Sequence, residues 1–234
     1  MRNQPLRIHP LIRTVTAVLI AASTMLATSI GSEASAGSSR TIWVPLYRQI
    51  YGLDCEAAAL QMALAHEGIR VSQGALLDAM QIDWRMPTRD ATGFHWGNPN
   101  TNFVGNPNGS EIRQTGYGAY SYPVSRAAWK YGGRILATQT GISPSLVYWS
   151  LLHGHPVVAW VAFDWRYHQV SHYVAFDGQT VAYGSPYEHA VTLYGVTPGY
   201  VLVNNPWRGV RQWIPKWQFE RAYATFSNMA IIFN

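Results

Sequence analysis

The order of hydrophobic patterns predicts an α+β fold, with N-terminal helices packed on a largely antiparallel C-terminal sheet. Three observations carry this. An Ala- and Leu-rich helical run begins at Cys55; further helical stretches follow as far as Gly154; from there the period switches to two. Residues 37–234 are enough for one domain with a substantial core, and no heptads or second domain show.

Taken in order, residues 1–36 read as a signal peptide. Arg2, Arg7 and Arg13 precede an uncharged apolar run over 14–30, and Ala34-Ser35-Ala36 supplies the small residues of a cleavage site. The alternative is an uncleaved N-terminal anchor, since the run approaches spanning length. Either reading places the domain outside the cytoplasm, secreted or at the cell envelope, with membrane contact only through that segment. Residues 37–53 form an extended lead into the Cys55 helix, which Asp54 caps and Gly68 stops. A short helix starts at the Ser72 cap. Over 90–122 Gly, Asn and Pro dominate, with Gly-Asn-Pro-Asn at 97–100 and again at 105–108, set among Trp96, Phe103, Tyr117 and Tyr120. This is either a surface loop framing a cleft or a structural Ω-loop. A helix from Pro123 closes at Gly132-Gly133, and Ser143-Pro144 begin another. Strands are expected at 156–163, 171–177, 189–195, 200–205 and 228–233, with a helix at 216–223.

Composition narrows the function. Without the first 36 residues, 14 basic residues face 11 acidic ones and form no run, which argues against a nucleic-acid partner. Ten Trp, fourteen Tyr and seven Phe exceed what one core usually needs; either part of them lines a cleft for an extended peptide or glycan, or they fill a loop-rich core. Cys55 is the only cysteine. A free Cys is commonly a small buried hydrophobe, but an unpaired thiol in an exported chain adds weight to a nucleophilic role. At a helix N-terminus the macrodipole favours its thiolate.

A cysteine nucleophile needs a base and a group that orients it. His189 opens one strand and Asn205 closes the next. If the connection between them has three or five residues, His189 lies directly opposite Asn205, and the amide oxygen can accept the imidazole N–H. An even connection sets Asn205 opposite Ala190 unless a bulge repairs the register. Gly199 as a left-handed residue favours the odd loop. Gln49, six residues before Cys55, can pair its side-chain N–H₂ with the Cys55 amide as an oxyanion hole.

With Gln49, Cys55, the His-Ala-Val strand at 189–191 and Val-Asn-Asn-Pro-Trp at 203–207, the chain resembles the papain-like cysteine peptidases. More narrowly, it resembles the bacteriocin-processing peptidase family and its stand-alone exported relatives. The resemblance spans most of 42–233 and implies a papain-like fold, with Cys55 as nucleophile, His189 as base and acid, Asn205 as orienter and Gln49 as oxyanion donor. Two positions depart from the family pattern: Glu56 stands where many relatives have Gly, and Asn205 where Asp is frequent. An Asn accepts the imidazole N–H but supplies no charge to an imidazolium.

The expected activity is therefore that of an exported cysteine peptidase acting through an acyl-thioenzyme on a peptide or protein. A cell-wall peptide hydrolase or transferase with the same thiol, and a non-catalytic peptide- or glycan-binding module, are the alternatives. No cofactor is needed. A metal reading of His153, His155, His168 and His172 is disfavoured, because no cysteine is spare and only Asp164 and Asp177 lie near. Asp54 and Glu56 flank the thiol without facing each other.

Overall fold

A computed structural model describes residues 37–234, so the segment assigned to a signal peptide or anchor lies outside the described residues. Among the described residues there are five helices: α1 (Cys55–His66), α2 (Gln73–Met80), α3 (Ser121–Lys130), α4 (Pro144–His153) and α5 (Lys216–Ala224). The main sheet holds β1 (Arg40–Thr41), β2 (Ile135–Gln139), β3 (Val157–Ala162), β4 (Glu188–Val196), β5 (Tyr200–Asn205), β6 (Val210–Pro215) and β7 (Ala230–Phe233). Their order is β6-β5-β4-β3-β7-β2, β1 pairs with β4, and every pairing is antiparallel. The α+β expectation holds.

The layering is richer than expected. Val158, Trp160 and Ala190 pack with α1, α2 and α3. Val157, Ala159, Val161, Val191 and Leu193 pack with Val147 and Leu151 of α4 and with Phe219 and Tyr223 of α5. Helices therefore cover both faces; β3, buried on both sides, reads as an unbroken apolar run, while β4, equally buried, carries Glu188, His189 and Thr192. The strands missed in sequence are β1, β2 and β6, together with several short strands outside the main sheet. β2 and β6 are the edges, where solvent admits polar residues such as Gln139, Arg211 and Gln212 and blurs the period.

Capping explains several boundaries. Ser72 Oγ accepts from the Ala75 N–H at 3.2 Å and Ser143 Oγ from the Leu146 N–H at 3.2 Å. Pro144 occupies the first turn of α4, and Gly154 ends it at φ 94°, a left-handed geometry that glycine adopts without a Cβ penalty. Asp54 differs from expectation. It precedes α1 but makes no side-chain cap, because Oδ1 turns back to accept the Tyr51 N–H at 3.1 Å.

Residues 90–122, expected as a surface loop framing a cleft or as an Ω-loop, carry short strands of their own. Phe103–Gly105 pairs with Gly116–Gly118 and with Ile82–Asp83 in a small sheet, and Thr88–Asp90 pairs with Gly93–His95. Trp96, Phe103, Tyr117 and Tyr120 are buried. These four aromatics are core, not cleft lining; only the 109–113 stretch reaches the cleft described below.

Thr192 Oγ1 donates to the Ala59 carbonyl at 2.8 Å in a buried contact that pins α1 to β4. We expect Thr192→Val to lower unfolding free energy by about 1 kcal/mol, measurable by urea denaturation; an unchanged midpoint would show that packing alone holds the helix there.

Candidate active site

Cys55 is set in place by an extended lead tied down at successive points. Asn204 Nδ2 donates to the carbonyls of Val44 and Pro45, and the Gln49 N–H donates to the Pro206 carbonyl. Gln73 accepts the Ile50 N–H and donates to the Arg48 carbonyl, while the Leu53 N–H reaches the Pro107 carbonyl. The chain then enters α1 with Cys55 at its first position.

The β4–β5 hairpin sets the second half. Its connection is even, not odd: the Thr197 N–H bonds the Tyr200 carbonyl, leaving Pro198-Gly199 as a two-residue turn. Gly199 is not among the left-handed glycines. By parity alone that turn would send His189 and Asn205 to opposite faces. A bulge at Tyr194 restores parity: Val196 pairs Val201 and Gly195 pairs Leu202, but Leu193 pairs Val203 and Thr192 pairs Asn204. Carried forward, Asn205 faces Val191, and His189 is its diagonal neighbour on the same face. The direct cross-strand pairing expected from sequence is thus replaced by a diagonal one, and the contact forms: His189 Nε2 lies 2.9 Å from Asn205 Oδ1.

The surrounding bonds fix the tautomer. Asn205 Nδ2 donates to Gln212 Oε1 at 2.8 Å, and Oδ1 also accepts the Trp207 N–H at 3.1 Å. Oδ1 is thereby the acceptor toward the ring, so Nε2 carries the proton and Nδ1 is bare. Phe163 meets the imidazole edge-on, with ring centroids 5.1 Å apart, and Trp207 meets Phe163 in turn at 5.7 Å. Burial lowers the imidazole pKa to about 4, against a raising contribution from Asn205, so the ring is neutral at neutral pH.

The thiol has other neighbours. Strand alternation along β4 turns Glu188, Ala190 and Thr192 toward α1, and His189 and Val191 away from it. Cys55 Sγ accordingly lies 3.3 Å from Glu56 Oε2 and 3.9 Å from Glu188 Oε2, and accepts the Ala190 N–H at 3.4 Å. Among the described residues no hydrogen bond joins it to His189. Burial, then the charges of Glu56 and Glu188, push the thiol well above its ordinary range. This reverses the thiolate expectation: a helix end favours an anion by 0.3–1, at most about 2 kcal/mol, less than desolvation and two adjacent acids oppose it. The resting thiol is neutral.

The acids are themselves displaced. Burial raises Glu56 to about 7 and Asp54 to about 6. Burial and the Glu56 charge raise Glu111 to about 8, and burial with the charges of Glu56 and Glu111 drives Glu188 well up. Glu56 Oε1 accepts the Ala119 N–H in a short bond. Glu111 and Glu188 escaped the sequence reading. The one signal pointing to Glu188 was its place beside His189 at a strand start, where alternation aims it at the opposite face.

Gln49 stands at the cleft, but its Nε2 donates to the carbonyls of Tyr51 at 2.9 Å and Gly52 at 3.0 Å, and its Oε1 is buried without a partner. An oxyanion role requires one of those bonds to be exchanged. Gln49, Cys55, Glu111, Glu188, His189 and Trp207 share one cleft of about 430 Å³. Of the other histidines named from the sequence, His153 stacks on Trp149, and His168 stacks on Tyr187 while bonding Asp164 at 2.9 Å.

A sheet with a cysteine-headed helix against it, and a His–Asn pair at the same cleft, defines the papain-like class. The family model described as Peptidase_C39 like family matches residues 41–231, and the chain belongs to that family. It is similar to the uncharacterized protein YvpB of Bacillus subtilis (strain 168), 29% identical over 203 residues, covering 84% of this chain and 76% of that protein. It is also similar to a crystal structure described as a candidate C39-like peptidase from Bacillus anthracis, with TM-score 0.71, 27% identity, and coverage of 83% of this chain and 96% of that one.

Two predictions follow from the electrostatics. Glu188→Gln removes an acid whose charge opposes the thiolate once it ionises, so the onset of iodoacetamide alkylation of Cys55 should move to lower pH; an unchanged pH profile would contradict the neutral-thiol account. Acids raised on folding contribute stability that is full below their unfolded values and is lost as pH rises through their folded ones. For Asp54, Glu56 and Glu111 that window runs from about 4 to about 8. His189, lowered on folding, acts oppositely and loses stability as pH falls from 6.5 toward about 4. Those three acids and Glu188 outweigh one imidazole, so the melting temperature should be higher at pH 5 than at pH 8. Calorimetry checks this, and Glu56→Gln should flatten the difference.

Proposed function

We propose that the chain is an exported cysteine peptidase that cleaves peptide amide bonds through an acyl-thioenzyme. The observation carrying this is the meeting of Cys55 and the His189–Asn205 pair at one cleft. Cys55 would be the nucleophile, His189 the base and then the acid, Asn205 the group that orients it, and Gln49 the oxyanion donor. Export rests on the basic and apolar pattern of residues 1–36, and no cofactor enters the chemistry.

Two neutral partners favour general-base activation over a preformed ion pair. As substrate arrives, the thiol turns from Glu56 toward the bare Nδ1 of His189, which takes its proton while sulfur bonds the carbonyl carbon. The oxyanion is received by the Cys55 N–H, a first-turn amide without an intrahelical acceptor, and by Gln49 Nε2 once freed. His189 returns the proton to the leaving amine as the C–N bond breaks, and water then releases the acyl group with the same base. Cell-wall peptides are one substrate class consistent with an exported domain. A second reading, a cleft that holds peptide without cutting it, is favoured by the thiol's engagement with Glu56 rather than His189.

The test is incubation with a complex peptide library and with cell-wall peptide fragments, read by mass spectrometry. We expect cleavage by the unaltered protein, with Cys55→Ser and His189→Ala each losing at least about a thousandfold. Binding of the same peptides without cleavage or acylation of Cys55 would favour the second reading.

A further inference from the structure

The acids around Cys55 have no counter-cation. Among the described residues the salt bridges involve Asp83, Asp90, Glu67 and Asp164, and none reaches Glu56, Glu111 or Glu188. Three donors converge: Cys55 Sγ, Glu56 and Glu188 offer ligand atoms that all lie within 4.8 Å of one another, and all three residues are buried. A tetrahedral zinc ion with one sulfur at about 2.3 Å and oxygens at about 2.1 Å sets its sulfur–oxygen edges at roughly 3.6 Å. The observed separations, 3.3 Å to Glu56 and 3.9 Å to Glu188, bracket that value.

A further observation points to a ligand. Glu188 is 6% exposed, its Oε2 faces the thiol, and its Oε1 is buried with no partner. Buried polar atoms are normally satisfied, and a cation held by both oxygens of Glu188 would satisfy this one. The missing side chain at Gly118, φ +147°, makes room for the acids themselves: a Cβ there would run into Glu56 Oε1 and come within 3.3 Å of Glu188 Oε2. The Ala119 N–H on Glu56 Oε1 and the Ala190 N–H on Sγ hold two of the donors in place, as second-layer bonds do around metals.

We propose that Cys55, Glu56 and Glu188 form a zinc site at the floor of the cleft, three protein ligands with the fourth position open toward it. Binding exchanges the protons of these groups for the ion, since the ligands must be deprotonated. Zinc held there occupies the sulfur lone pair, so it blocks electrophiles from Cys55. The ion is an inhibitor and not a cofactor, and the site stands whether or not the thiol is catalytic.

The untagged full chain should be titrated with zinc by calorimetry in buffers of different ionisation enthalpy, and with cobalt(II) by absorption. We expect one ion per chain with proton release, a near-ultraviolet thiolate-to-cobalt band, and protection of Cys55 from iodoacetamide that a chelator reverses. Cys55→Ser should abolish the band and Glu188→Gln should weaken zinc at least about tenfold. Because Cys55→Ser changes one atom, it guards against misreading an unfolded Glu188→Gln protein. No binding overturns the proposal. So does zinc binding unchanged in Cys55→Ser, which would place the ion on histidines, or cobalt binding without the sulfur band, which would mean carboxylates alone.

Discussion

The geometry of this cleft depends on one constraint, the alternation of side chains along β4 beneath the head of α1. Residues 188, 190 and 192 turn to the helix, residues 189 and 191 to the other face. The thiol therefore meets Glu188 and the Ala190 amide, whereas His189 meets Asn205. The bulge at Tyr194 is part of the same constraint. It offsets the even turn at 198–199, and without it Asn205 would point away from the imidazole.

Burial then fixes the charge states. A buried imidazole sheds its proton, and a buried thiol between two acids keeps its own. The cleft thus rests as a neutral pair among proton-hungry carboxylates rather than as a thiolate–imidazolium pair. Such an arrangement resembles a serine hydrolase in its logic: the nucleophile is activated only as the proton moves to the base. The unpaired acids are the less economical part of the design, since buried carboxylates without cations cost stability when ionised. Their retention around the one thiol is the feature a cation-binding role accounts for.

Much of this was legible in the sequence. The helix at Cys55, the Ser72 and Ser143 caps, the Gly154 stop and the strand at Tyr200 follow from local chemistry, which acts within a few residues. The His189–Asn205 contact was legible as a pair but not in its register, because a bulge leaves no strong mark in composition. Trp96, Phe103, Tyr117 and Tyr120 were ambiguous for a different reason. Glycine and asparagine around them permit tight backbone packing as readily as an exposed loop, and Gly105 takes φ +78° where it presses against Gly116. In the sequence Glu56 stands out as an acid flanking the thiol where many relatives have Gly. Its burial against Ala119, 63 residues away, is a tertiary fact.

In the resting cleft Cys55 and His189 are both uncharged. Since the chain has a single cysteine, selective ¹³Cβ labelling gives one thiol resonance, and ¹⁵N labelling of the histidine rings follows His189 in the same sample, assigned through His189→Gln. Titration should show the thiol signal unchanged through neutral pH, and the imidazole neutral with its proton on Nε2 down to about pH 4. A thiolate and an imidazolium that appear and vanish together near neutral pH would contradict it.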